Sequence, residues 1–344
     1  MYGCGYTEPT NMRVRTKAGR EDLRAIWMDG DSVTAIDQRA LPQKFKTIGI
    51  RTYPEMAEAI SNMTVRGAPT IGAAAAYGMA LAWKAGEDLD EAAKVIKATR
   101  PTAHDLFYAV DLMLSRRKGD LVKAAEAYAD GVVTMCKSIG EHGSTLIEDG
   151  SRVLTHCNAG ALATVDFGTA LAPMRVAHRA GKKFFVYVDE TRPRLQGAKL
   201  TAWELLNEGI DHAIIADNAA GHYMSRGQVD LVIVGADRIA SNGDFANKIG
   251  TYEKAVLAKE SGVPFYVAAP VSTFDFSLAS GSGIIIEERS QDEVLFVGGR
   301  RISPEGSRAM NPAFDVTPAR CVSGFITEMG VFRPGDFSAL VRRH

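Results

Sequence analysis

The sequence predicts an α/β fold. It has a Rossmann-like, mainly parallel sheet flanked by helices, preceded by a smaller, mostly helical α+β region. Three observations predict it. From Ser151 onward, runs rich in β-branched and aromatic residues (RVLTHC, KFFVYVDE, HAIIAD, DLVIVGAD, PFYVAAP and SGIIIEE) alternate with helical or polar stretches, the rhythm of βαβ units. The run Leu231–Val234 is apolar without alternation, as a strand covered on both faces requires. Residues 53–139 carry helical patterns almost end to end.

In order, residues 24–52 read as a small meander, with LRAIWM and SVTAID joined at Asp29-Gly30-Asp31 and KFKTIGIRT following Leu41-Pro42. Helices are expected over Tyr53–Asn62, Pro69–Trp83, Asp88–Ala98, His104–Arg117 and Asp120–Ile139. The only seam is Gly140–Gly150, so the expected division is 1–145 for the amino-terminal domain and 146–344 for the Rossmann-like one. After Val234, a loop of small residues is expected to run to Asn247–Lys248 at the start of a helix.

Composition limits the function. The chain has 344 residues, 46% hydrophobic and 24% charged, with a net charge of -1, which suits a globular protein with a real core. That charge gives no footprint for nucleic acid or an acidic membrane surface. The start, MYGCGYTEPTNMRVR, has no apolar signal core, and the longest uncharged run, Gly67–Trp83, is too short for a good membrane span. Cys4, Cys136, Cys157 and Cys321 are widely spaced, which argues against a disulfide framework or zinc site and for a reducing, cytoplasmic setting. GxGxxG after a strand, GxxxxGK[ST] and GxSxG are all absent.

Chemistry gathers at strand ends. Cys157 closes RVLTHC, Asp189 and Glu190 follow FFVYV with Gln196 a loop later, Asp217 closes HAIIAD, and Asp237 follows LVIVG. In a parallel sheet these ends share one rim, where α/β proteins bind ligands. Each residue also has a plainer reading: Asp237 a polar turn residue, Cys157 an inert core thiol, His156 a packed and satisfied histidine, Arg100 a solvated linker residue. A helix start just past Cys157 would favour its thiolate. Arg66-Gly67-Ala68-Pro69 opens a helix with proline in its first turn, whose unpaired N–H groups suit an anion.

RGAPTIG (66–72), TRPTA (99–103), THCNAGALAT (155–164), DETRPRLQGAKLTAWEL (189–205), GADRIASNGDFANKIGTY (235–252) and PFYVAAP (264–270) resemble the methylthioribose-1-phosphate isomerases of methionine salvage. Their wider superfamily also holds ribose-1,5-bisphosphate isomerases and regulatory subunits of the initiation factor 2 exchange factor. The resemblance implies an aldose–ketose isomerase turning 5-methylthioribose 1-phosphate into 5-methylthioribulose 1-phosphate as a homodimer, with no metal or organic cofactor. It implies Asp237 as proton donor and Cys157 as the thiol that stabilises the transition state. It also implies substrate contacts at Arg66, Gly67, Ala68, Arg100, Gln196, Asn247 and Lys248. The chain departs from the family pattern at Thr70, where alanine is usual, and at Arg194, where an apolar residue is common. Arg194 leaves a ribose-1,5-bisphosphate isomerase as the alternative enzyme. A non-catalytic regulatory subunit is the alternative from another class.

Overall fold

The computed structural model describes residues 11–16, 19–101 and 103–337, so Cys4 and the start of the amino-terminal stretch lie outside it. A hairpin comes first, β1 (Met12–Thr16) and β2 (Gly19–Leu23). The expected meander follows as β3 (Ile26–Asp29), β4 (Ser32–Ile36) and β5 (Thr47–Ile50), all antiparallel. The five expected helices form: α1 (Tyr53–Ser61), α2 (Ala68–Lys84), α3 (Leu89–Ala98), α4 (His104–Ser115) and α5 (Leu121–Ser144). α5 runs beyond its expected end at Ile139 into the expected seam. α2 is the hub: its Ala- and Gly-rich body lets neighbouring helices approach closely, and its residues from Thr70 to Ala82 are buried.

The carboxyl-terminal part is built on β6 (Arg152–Thr155), β7 (Phe185–Asp189), β8 (His212–Ile215), β9 (Leu231–Val234), β12 (Phe265–Ala268), β17 (Gly324–Thr327) and β18 (Gly330–Phe332). Their order is β18-β17-β12-β9-β6-β7-β8, parallel throughout except for β18. The helices α6 (Leu171–Arg179), α7 (Ala202–Glu208), α8 (Ala220–Ser225) and α9 (Thr251–Glu260) flank it. β9 is buried along its whole length, as its unbroken apolar run predicts.

Two expectations are corrected. The small-residue stretch after β9 is not a loop: β10 (Arg238–Ala240) and β11 (Phe245–Lys248) form a hairpin extended by β13 (Phe274–Asp275) and β16 (Phe314–Thr317). Asn247 and Lys248 therefore sit on a buried strand rather than at a helix start. SGIIIEE is not a strand of the main sheet either; that place falls to GFIT, now β17, and residues 284–287 run outside any strand. The remaining pieces, α10 (Asp292–Leu295), β14 (Phe296–Val297) and β15 (Arg300–Arg301), are short. Among the described residues, no helix is long and apolar enough to cross a membrane.

The two parts share their cores. Val165, Phe167 and Ala172 pack into the cluster formed by the amino-terminal helices. Hydrogen bonds stitch the same seam: Ala25 N–H donates to the Val165 carbonyl (2.8 Å), and Gln38 Nε2 donates to the Leu162 carbonyl (2.7 Å). The Thr70 hydroxyl donates to the same Leu162 carbonyl (3.1 Å) and accepts from Val165 N–H (2.8 Å).

Candidate active site

Strands β6, β7, β8 and β9 run parallel, so their carboxyl ends do share one rim. Cys157 lies two residues past β6 in a left-handed conformation (φ 66). Such a backbone is costly for a residue with a side chain and persists only where its surroundings hold it. Here two threonine hydroxyls do so: Thr191 accepts from the Cys157 N–H (2.9 Å), and Thr201 donates to the Cys157 carbonyl (2.7 Å). The loop beyond is fixed by buried Glu204, which accepts from Asn158 Nδ2 (2.9 Å) and Ala161 N–H (2.8 Å). A 3-10 turn, Ala161–Ala163, follows, and the next helix starts only at Leu171. The expected helix dipole at Cys157 is therefore absent. Burial pushes the thiol pKa up, against the pull of Lys248, Arg66 and the Asn158 N–H. Burial thus favours the thiol over the thiolate.

Asp237 follows β9 at the rim, where the residue is exposed. Desolvation of its carboxyl raises the pKa, opposed chiefly by Lys248, Arg289 and Arg66. Lys248 is 6% exposed, and burial lowers its pKa to about 8. Its ammonium donates to the Ala313 carbonyl (2.8 Å) and sits 3.8 Å from the centre of the Phe314 ring. Cys157, Asp237 and Lys248 thus act on one another in a single patch. Asn247, beside Lys248 on β11, donates to the Thr251 hydroxyl (3.0 Å).

The amino-terminal part closes the patch. Arg66 reaches across to Asn158, donating to its carbonyl (3.4 and 3.3 Å) and its side-chain oxygen. Gly67 caps α2 with φ 91, and Ala68 opens the helix against the Ala161–Ala163 turn. Arg100, half-buried, comes within the fields of Arg289, Glu287, Arg194 and Asp237. Gln196 is buried with its Oε1 unpaired, beside a cavity of about 160 Å³. Leu41, Met63 and Leu200 give that cavity an apolar wall, and Arg39, Arg66, Arg194 and Lys199 bring charge. Arg39 already forks onto Asp37 (3.0 and 3.1 Å), and Arg194 pairs with Glu293 (2.6 Å).

Other rim residues are structural. His156 is fully packed, its Nδ1 2.8 Å from Asp189 and its Nε2 2.8 Å from the Ile249 carbonyl, as the plainer reading of it expected. Asp217 accepts from the Thr191 and Arg192 N–H groups (both 2.7 Å). His156, Asp189 and Asp217 come within metal-binding distance of one another, but both His156 nitrogens are occupied and Lys254 Nζ stands 3.8 Å from Asp189. Asp189 Oδ1 has no hydrogen-bond partner among the described residues, but the occupied His156 ring and the Lys254 ammonium beside Asp189 do not suit a cation. Glu287 and Arg289 were not singled out from sequence; their charged run looked like the end of a strand.

A site of thiol, carboxylic acid and lysine on the rim of a parallel sheet, completed by a helix start from a preceding helical layer, defines a class. Residues 64–334 match the initiation factor 2 subunit family. The chain belongs to that family and, within it, to the methylthioribose-1-phosphate isomerases. The methylthioribose-1-phosphate isomerase of Gloeobacter violaceus is 49% identical over 336 residues, covering 94% of this chain and 97% of that one. The 5-methylthioribose 1-phosphate isomerase of Pyrococcus horikoshii OT3 superposes with a TM-score of 0.86 at 45% identity, covering 93% of this chain and 95% of that one. A structure from A. fulgidus, described as subunit delta of the translation initiation factor eIF-2B, matches with a TM-score of 0.85 at 44% identity, covering 94% and 99%.

Proposed function

We propose that this protein is the sugar-phosphate isomerase of methionine salvage that converts 5-methylthioribose 1-phosphate into its ketose, 5-methylthioribulose 1-phosphate. What supports this reading is that Cys157, Asp237 and Lys248, from the ends of β6 and β9 and from β11, lie within one another's electrostatic reach. The substrate is a ring locked by its C1 phosphate, so the ring oxygen must first receive a proton. Asp237, its carboxyl pKa raised by desolvation, is the acid. Hydrogen then moves from C2 to C1, and charge develops beside the neutral thiol of Cys157 and the Asn158 N–H. Lys248, Arg66 and the open N-terminus of α2 hold the phosphate, with Gly67 and Ala68 supplying close backbone approach. Arg100, Gln196 and Asn247 are the remaining contacts.

The cavity beside Arg66 favours a methylthio substrate over a bisphosphate. Leu41, Met63 and Leu200 offer the apolar wall a thioether needs, while Arg39 and Arg194 are already neutralised by carboxylates. The domain limits 1–145 and 146–344 separate the part giving Arg66 and Arg100 from the part giving the acid and the thiol. A homodimer in the cytoplasm completes the proposal. Strongly exposed Ile285 (86%) and Met310 (81%) offer apolar surface to a second copy, and Cys136, Cys157 and Cys321 are free thiols.

The test is turnover of 5-methylthioribose 1-phosphate followed by NMR, with ribose 1,5-bisphosphate alongside. The wild type produces the methylthio ketose; Asp237→Asn binds substrate without turnover; Cys157→Ser loses kcat by roughly 10²-fold or more. Preference for the bisphosphate overturns the substrate assignment. No turnover of either sugar, with tight binding to another protein, overturns the enzyme.

A further inference from the structure

The run Ile284–Arg289 lies alongside the residues that lead into β16. Ala313 N–H donates to the Glu287 carbonyl (2.8 Å), Arg289 N–H donates to the Asn311 carbonyl (2.9 Å), and Glu288 pairs antiparallel with Pro312. β16 in turn places Phe314 opposite Lys248. Two cations therefore share one aromatic ring: Lys248 Nζ at 3.8 Å and Arg289 Cζ at 5.7 Å from its centre.

Glu287 fixes the Arg289 guanidinium along one edge, accepting from Nε (3.1 Å) and Nη2 (3.2 Å). The Arg289 side chain is only 11% exposed. Among the described residues Nη1 has no protein acceptor. Arg289 is also the leading charge acting on Arg100, and only Lys248 exceeds it among the charges acting on Asp237. Arg100, Lys248 and Arg289 thus gather at one place with Asp237 and Glu287. Such a cluster of cations suits a phosphate monoester.

We propose that Arg289 is a further substrate-anchoring residue, its Nη1 edge donating to the phosphate of the bound sugar phosphate while Glu287 sets the plane of the guanidinium. The proposal rests on the isomerase reading above. A guanidinium pinned on one edge and laid over a ring has little freedom left to lose when it binds an oxyanion.

The test compares Arg289→Met, Arg289→Lys and Glu287→Gln with wild type in two measurements. One is steady-state turnover of 5-methylthioribose 1-phosphate. The other, independent of turnover, is the inorganic phosphate concentration giving half the thermal shift. In Arg289→Met, KM and half-saturating phosphate should both rise by about 10- to 100-fold, with a smaller change in kcat. Arg289→Lys should fall between it and wild type, and Glu287→Gln should raise KM several-fold. KM and phosphate affinity within about two-fold of wild type in Arg289→Met overturn the proposal; should that variant not fold, the same result in both other variants does so. A wild type that isomerises no sugar phosphate, yet binds phosphate through Arg289, overturns the isomerase reading and leaves the anion contact standing. Normal isomerisation with Arg289 irrelevant overturns the contact alone.

Discussion

Gly67 is where the amino-terminal layer touches the active-site turn, and Gly67→Ala should disable the enzyme without unfolding it. A Cβ at this position would lie 2.4 Å from Ala163 Cα, 2.5 Å from its carbonyl oxygen and 2.6 Å from its Cβ. Ordinary contact begins near 3.4 Å, so the two segments must part by roughly 1 Å. Neither is a flexible side-chain tip; one is the first turn of α2 and the other the 3-10 turn below Cys157. The backbone at φ 91 adds strain of about 1–3 kcal/mol for any residue with a Cβ. A displacement of about 1 Å in the groups that orient a substrate costs on the order of 10²-fold in rate. We therefore expect kcat/KM to fall by about 10²-fold while most of the fold is retained, read by steady-state kinetics and thermal melting together. Gly86→Ala is the control: φ is +72 there, but nothing lies within 4 Å of the new Cβ, so it should cost stability and not rate. Kinetics within about three-fold of wild type in Gly67→Ala would refute the close fit between α2 and the Ala163 turn.

The pH dependence should show Lys248. Its pKa of about 8 means that the charged form, to which we assign phosphate binding, is lost as pH rises through that value, so kcat/KM of the free enzyme should decline on the alkaline side. Lys248→Arg stays charged and should move that decline out of range; a decline unchanged in the variant would assign it to another group, Asp237 first. Arg175 should matter for stability rather than chemistry. It is 1% exposed and lies among Glu208 (3.1 Å), Glu204 (3.2 Å) and Asp166 (3.6 Å), so Arg175→Met removes the cation these buried carboxylates share, at a cost of about 3–5 kcal/mol. Burial already pushes Asp166 up to about 7, a raised value whose stabilising contribution is lost as pH rises through it. Removing Arg175 raises it further, so the loss in urea unfolding should be larger at pH 8 than at pH 5. Equal losses at both values would show that the carboxylates ionise independently of Arg175.

The parts of the site legible in sequence were those set by strand ends. Cys157 and Asp237 lie just past apolar runs, and a parallel sheet leaves such positions no other rim to occupy. The hairpin that carries Asn247 and Lys248 was missed although Asn242-Gly243 between RIA and FANK is a hairpin turn signal. Its strands are too short to show alternation. GFIT has four residues and follows a long irregular region, so it lacked the flanking rhythm that marks the other strands. The helix-dipole argument at Cys157 fails for a different reason: it needs a helix that starts only at Leu171, while burial depends on layers folded from distant sequence. Arg194 is matched to Glu293, 99 positions away, a pairing no local pattern carries.

The bonds from Ala25, Gln38 and Thr70 to the Leu162–Val165 backbone have a consequence for how ligands come and go. The pocket floor is jointly owned: cutting the polypeptide after residue 145 would give a sheet-bearing fragment whose sulfur no longer has a rigid surround. Substrate cannot arrive by prising these layers apart, because that motion dismantles the machinery it is meant to reach. The two layers have to stay joined for Arg66 and Cys157 to keep their places.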